Sequence, residues 1–304
     1  MKIPSSTGFG SMMVNSGHIT NEGLELTGKF YVLQNTPLKW NIDANISFNR
    51  NRIGGLKADQ FAQKLWSSAD EVFIQRNGCP IGAIYGYVED GFYDNLAEVM
   101  ASPSADIRAK GAGMIGEIKY RNFDDNPDIT SADRVIIGDT NPDFVYGLTS
   151  NFEWKGVTLS FFLQGSQGND IFNGNLMDMK MGNVGNITRE AYNTRWTEAN
   201  AAQAKWPKAV SGYERNMLIS NRYVEDGSYL KLKSLNIGYV WKPNFKGISN
   251  VNVYASATNL FTITGYSWFD PEVNAFGSDA SRRGVDVYSY PSSRTFSLGI
   301  KVDF

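Results

Sequence analysis

The chain has 304 residues, with 29 Lys or Arg against 31 Asp or Glu, a formal net charge of -2, one cysteine and one histidine. A balance so close to zero, with no Lys/Arg cluster among aromatics, leaves no basic field for a nucleic-acid partner. Cys79 has no partner for an internal disulfide, and His18 has no nucleophile motif beside it, so Ser-His-Asp catalysis and a Cys/His zinc centre are set aside and no enzyme is expected.

The first predicted strand places Leu24, Leu26, Phe30 and Val32 on one face and Glu25, Thr27, Lys29 and Tyr31 on the other. Strand side chains alternate between faces, so this spacing gives one apolar and one polar surface. A short turn over Leu33 to Pro37 leads into a second strand, with Trp40, Ile42, Ala44, Ile46 and Phe48 opposing Asn41, Asp43, Asn45, Ser47 and Asn49. Next come Phe144, Tyr146, Leu148, Phe152 and Trp154, then Val157, Leu159, Phe161 and Leu163 after the two-residue turn Lys155-Gly156. Such a turn pairs Trp154 with Val157 and keeps the apolar set on one face. The last third repeats the pattern. Leu235, Ile237, Tyr239 and Trp241 lead to a turn near Pro243 to Asn250, then Val251, Val253, Ala255, Ala257 and Phe261. Finally Phe296, Leu298, Ile300, Val302 and Phe304 oppose Ser297, Gly299, Lys301 and Asp303.

These are seven strands, joined alternately by short turns and by the long connections 50–143, 166–228 and 265–294. The segment 50–143 begins and ends on the same side, so it holds an even number of further strands. Ile81 to Val88 and Met114 to Tyr120 are the candidates that would bring the sheet to nine. Segment 187–205 is expected to hold a short helix, because its Ala-rich run favours helix over strand.

Alternation alone fits a soluble sandwich as well as a membrane barrel. Three features favour the barrel. The strands run to roughly 9–13 residues, close to the ~9–11 of a tilted membrane strand and beyond the ~5–6 of globular ones. Short turns at one end and long loops at the other match bacterial barrels. Aromatics gather at strand ends: Trp40, Trp154, Trp241 and Phe304 at the short-turn rim, with Phe296 on the same apolar face. Such girdles mark the membrane boundary. No run approaches the ~20 apolar residues of a membrane helix, and Met1-Lys2-Ile3-Pro4 does not open a signal peptide. The polar face carries Glu25, Lys29, Lys39, Asp43 and Glu153, which require water or partners. Seven to nine strands enclose no such lumen, so a wider barrel is expected, of which this chain is a part.

Taken in order, the motifs resemble the SusC/RagA group of TonB-linked outer-membrane proteins. Asn15-Ser-Gly17-His-Ile19-Thr-Asn21-Glu-Gly23-Leu-Glu25 resembles that family's strand entry. Asn45-Ile-Ser-Phe-Asn49-Arg-Asn51, Gly82-Ala-Ile-Tyr85-Gly-Tyr87, Asp133-Arg-Val-Ile-Ile-Gly138 with Pro142-Asp-Phe-Val-Tyr146-Gly147, and Gln164 to Asp170 follow in the family's sequence. Val224-Glu-Asp-Gly-Ser228-Tyr229-Leu230-Lys-Leu-Lys233 and the closing Asn259-Leu-Phe261, Asp270-Pro-Glu-Val-Asn274 and Tyr290-Pro291-Ser-Ser-Arg294-Thr-Phe296 complete the set. The resemblance covers nearly the whole of residues 1–304. It implies the C-terminal portion of an antiparallel transmembrane β-barrel of ~22 strands, with long extracellular loops and with the plug and earlier strands elsewhere. It further implies import of large nutrients, oligosaccharides or oligopeptides, with a SusD-like surface lipoprotein as lid and the TonB complex as motor. A non-transporting surface receptor or adhesin and a soluble carbohydrate-binding β protein are the alternatives.

Two candidate sites stand out. Asp124, Asn126, Asp128 and Asp133 fall where the family shows an acidic loop, and alternating oxygen-bearing residues suit calcium. Pro127 replaces a glycine of that pattern and neighbouring residues are missing, so a plain polar turn is the other reading, and no other cofactor is expected. Tyr266, Trp268 and Phe269, ahead of Asp270-Pro271-Glu272, are candidates for stacking on a substrate or touching the lid, or for packing within the barrel mouth. Phe304, as the terminal aromatic, is expected to act as an assembly signal in addition to its place in the girdle.

Overall fold

The computed structural model describes residues 8, 17–64, 71–181, 186–210, 214–244, 247–277 and 279–304. Asn15 and Ser16, which open the first family motif, lie outside them. Seven long strands pair antiparallel in chain order: β1 (His18–Leu33), β2 (Leu38–Gly54), β3 (Phe144–Trp154), β4 (Val157–Gln167), β5 (Tyr229–Trp241), β6 (Asn250–Thr264) and β7 (Thr295–Asp303).

The register shows why alternation builds two surfaces. One apolar row runs Trp154–Val157–Tyr239–Val253–Ile300 across five strands, and another runs Gly28–Ala44–Leu148–Leu163–Leu232–Phe261. Three residues along the strands from the first row, and so on the opposite face, lies the polar row Asn41–Asn151–Ser160–Asn236–Ser256–Ser297. Its members bond across strands: Asn151 Nδ2 donates to Asn41 at 2.9 Å and Ser160 Oγ to Asn151 at 2.7 Å. The charges expected on the polar face pair there as well, Lys39 with Glu153 at 3.0 Å and Lys29 with Asp43 at 3.6 Å. The β3–β4 turn is built from Lys155 (φ 48) and Gly156 (φ 87), the paired positive φ values whose twist matches a two-residue hairpin.

The hydrophobic core lies above this sheet, in the long connections. Connection 55–143 contributes Phe73, Ile84, Tyr87 and Ile118. Connection 168–228 contributes Phe172, Met217, Ile219 and Tyr223, and connection 265–294 contributes Val285. All are buried together, so the three connections fold as one layer. Short sheets support it: Gln60–Lys64, Glu71–Gln75, Ala83–Gly86 and Val135–Asp139 form one, and Val224–Asp226, Asp170–Asn173 and Val285–Asp286 another.

Two expectations are corrected. The candidates at Ile81 to Val88 and Met114 to Tyr120 yield only Ala83–Gly86 and Ile118–Tyr120, which belong to the loop layer, so the large sheet has seven strands and not nine. The physical reason is visible in Ala83–Gly86. It is buried on both faces, where a barrel strand alternates. In segment 187–205 the helix is Arg189–Thr194, capped by Thr188 Oγ1 accepting from the Ala191 amide, and the alanine run makes only a 3-10 turn at Ala201–Gln203. Asn200 accounts for the break. Its side chain accepts from the Thr197 amide and donates to the Arg195 carbonyl, local bonds that compete with helix.

Candidate functional site

Where β5 meets the loop layer, the strand carries Lys231 and, at the register shift between Leu232 and Ser234, Lys233. Lys231 pairs with Gln164 and Thr262 and so lies on the polar face. Its side chain is 1% exposed, and its Nζ lies 2.9 and 3.0 Å from the two oxygens of Asp270 and 2.5 Å from Glu272 Oε2. Lys233 Nζ reaches the same Glu272 oxygen at 2.6 Å, and the Tyr229 hydroxyl donates to Glu272 Oε1 at 3.1 Å. Burial by itself would raise both carboxyls. Hydrogen bonds from Ser292 and Lys231 to Asp270, and from Lys231 and Lys233 to Glu272, outweigh it and hold both below the usual carboxylate range. Two cations and two anions thus close a neutral, hydrogen-bonded cluster, the condition under which buried charges are tolerated.

A second polar knot adjoins it. Glu225 accepts from the Ser267 amide and hydroxyl, both at 2.8 Å, and from Asn173 Nδ2 at 2.8 Å. Asn175, fully buried, donates to Asn173 and accepts from the Tyr288 amide at 2.6 Å, which fixes Tyr288 at φ 54. A cavity of about 270 Å³ adjoins the lysine-carboxylate cluster, lined by Ser166, Asn169, Tyr229, Glu272, Asn274 and Arg283 among others.

The expected contact aromatics separate. Tyr266 is 5% exposed and its hydroxyl donates to the buried Asp286 at 2.7 Å, so it packs inside the mouth. Burial and this bond push its hydroxyl well above the ordinary tyrosine range. Trp268 is half-buried and meets Phe269 edge-on with centroids 5.3 Å apart, and Phe269 is 67% exposed. Of the three, only Phe269 projects freely.

In the acidic loop, Asp124 accepts from the Asn126 amide at 2.9 Å and Asn126 from the Asp128 amide at 3.1 Å. Asp128 also accepts from Ser104 Oγ. Asp133, fully buried, accepts from the Phe123 and Thr130 amides at 2.8 and 2.7 Å and completes a capping box with Thr130. The loop therefore closes on its own backbone donors. Among the described residues no group of three or more His, Cys, Asp or Glu is placed to hold a metal ion.

At the short-turn rim, Trp154 and Trp241 stand about half exposed, and Trp40 stacks on Phe152 at 5.3 Å with 15° between planes. Phe296 lies at the opposite end of β7, beside Ala257 on the apolar face, and Phe304 follows the strand, 90% exposed. The lysine-carboxylate cluster went unseen in the sequence, although its signal was there: Lys-x-Lys on one strand and Asp-x-Glu in a connection, each pair spaced to point the same way.

A section of antiparallel barrel wall, apolar outside and polar inside, capped by a folded layer of long loops, defines an outer-membrane β-barrel. The known relatives agree. The chain is 33% identical, over 99% of its length, to TonB-dependent receptor P3 of Formosa agariphila, and 26% identical, over its full length, to TonB-dependent receptor SusC of Bacteroides thetaiotaomicron. A solved structure of the RagAB peptide transporter superposes on all of it with a TM-score of 0.73 at 22% identity, which shows the shared fold. No family model matches. Along its whole length the chain is similar to curated TonB-dependent receptors, SusC among them, and it spans 30% and 28% of the length of those two relatives.

Proposed function

We propose that this chain forms part of the wall and mouth of an energised importer in the outer membrane. The full-length receptor takes up large nutrients, oligosaccharides or oligopeptides, beneath a SusD-like surface lipoprotein, and TonB acts through parts of it that lie beyond this share of its length. The observation that carries the reading is the pair of faces: unbroken apolar rows on one side, the Asn41–Ser297 polar row on the other, and a folded loop layer above. A lipid-facing surface cannot carry the second face, which also bears Lys29 and Lys39, because a Lys or Arg at mid-membrane costs about 2–4 kcal/mol. The relatives' names, TonB-dependent receptor and peptide transporter, support transport as the use of that lumen.

The test is deletion of the full-length gene in its host, followed by growth on defined oligosaccharide and oligopeptide mixtures as sole nutrient. Loss of growth on one class, restored by the gene, is expected. Unchanged growth of the deletion strain on both, where the parental cells hold abundant receptor in the outer membrane, contradicts import and favours an adhesin.

A further inference from the structure

The connection 265–294 is held in two unlike ways. Its later part is seated in the loop core: Val285 is fully buried, and Val285–Asp286 pairs with Phe172 and Asn173. Its earlier part, 267–274, is held by polar contacts, from Ser267 to Glu225 and from Asp270 and Glu272 to Lys231 and Lys233. Phe269, at the middle of that part, is exposed and adds little apolar anchoring. Pro271 to Asn274 also form one wall of the partly open cavity of about 270 Å³.

Ionic anchoring is an expensive way to hold a segment permanently. Well-packed apolar residues of similar volume do it as well or better. It does give an attachment that comes apart when either sign of charge is removed, since an unpaired buried ion favours water over the site.

We propose that Lys231, Lys233, Asp270 and Glu272 are a charge latch, which holds segment 267–274 docked as one wall of the cavity at the barrel mouth. Opening the latch removes that wall and widens the cavity while Val285 and its neighbours stay in place. The cluster is buried by residues of this chain alone, so it does not depend on what else lines the barrel. It rests on the barrel reading for its geometry and not on import, and its readout is chemical labelling rather than uptake.

The experiment uses the full-length receptor in outer-membrane vesicles, with native cysteines replaced and Val273→Cys introduced within the segment, on the cavity wall. A membrane-impermeant maleimide is the probe. With the latch intact, labelling is slow. In the Asp270→Asn, Glu272→Gln double variant it rises at least about tenfold, as expected when a buried ion pair loses one partner. Phe269→Cys, already exposed, labels at the same rate in both backgrounds. Heat-modifiable migration on gels shows that the barrel has folded. An unchanged Val273→Cys rate in a folded barrel overturns the proposal. So does failure of the double variant to fold, which would make the cluster part of the barrel's foundation and not a latch.

Discussion

Lys231 and Asp270 meet across thirty-nine residues of chain, the Lys231 ammonium 2.9 and 3.0 Å from the two Asp270 oxygens with its side chain 1% exposed. A strand of the barrel wall is thereby joined to the connection that leaves the next hairpin.

Loss of one partner costs more than loss of all. Lys231→Met leaves two carboxylates buried without their main cation, a penalty of about 3–5 kcal/mol. Thermal unfolding of the full-length receptor in detergent should fall steeply for Lys231→Met and recover when Asp270→Leu and Glu272→Leu are added. Equal stability of the triple and single variants would show that the cluster is not coupled.

Acidification should release the same contact. The Asp270 and Glu272 carboxyls are held below their ordinary range in the docked state and return to it when undocked. Their contribution is therefore complete above the ordinary carboxylate range and is lost as pH falls below it, through the depressed values. Maleimide labelling at Val273→Cys is too pH-sensitive for this arm, so an aromatic disulfide that reacts with thiols at acid pH, applied to the same Val273→Cys receptor during the acid step, serves instead. Faster labelling at neutral than at acid pH would reverse the sign.

At β6–β7, a methyl group at Gly299 would lie 2.4 Å from the Tyr254 ring, which lies over that glycine. Gly299→Val should therefore lower the yield of folded barrel, and adding Tyr254→Ala should restore part of it. Wild-type yield for Gly299→Val alone would show that the ring does not occupy that place.

Asp133→Ala removes the acceptor for the part-buried Phe123 and Thr130 amides and should open the 122–133 loop to proteases, at a cost of about 1 kcal/mol for each hydrogen bond lost. Chelator added to wild type is the companion measurement. Loop exposure on chelation would assign calcium to Asp124, Asn126 and Asp128, and equal cleavage would leave the Asx turns as the whole support.

The seven long strands were legible because period-two alternation is a local property, and Trp40 to Phe48 displays it without help from distant residues. The turn at Lys155-Gly156 was legible for the same reason. The loop layer was not. Phe73, Phe172 and Val285 lie in three different connections, and nothing local says that they share a core. Ala83–Gly86 reads as a strand and is one, but its burial on both faces, which removes it from the barrel, follows only from its neighbours. The lysine-carboxylate cluster had a local trace in the spacing of Lys231 and Lys233 and of Asp270 and Glu272, but nothing local says that the two pairs meet across thirty-nine residues of chain.

The central claim is that β7 has lipid on one side and water on the other. Single cysteines carrying nitroxide labels at Phe296 through Val302 of the full-length receptor in bilayers, read by collision with oxygen and with a water-soluble nickel chelate, test it directly. Labels at 296, 298, 300 and 302 should favour oxygen and those at 297, 299 and 301 the chelate, a strict alternation along the strand. Equal accessibility at successive positions, or the opposite phase, would contradict the barrel-wall account.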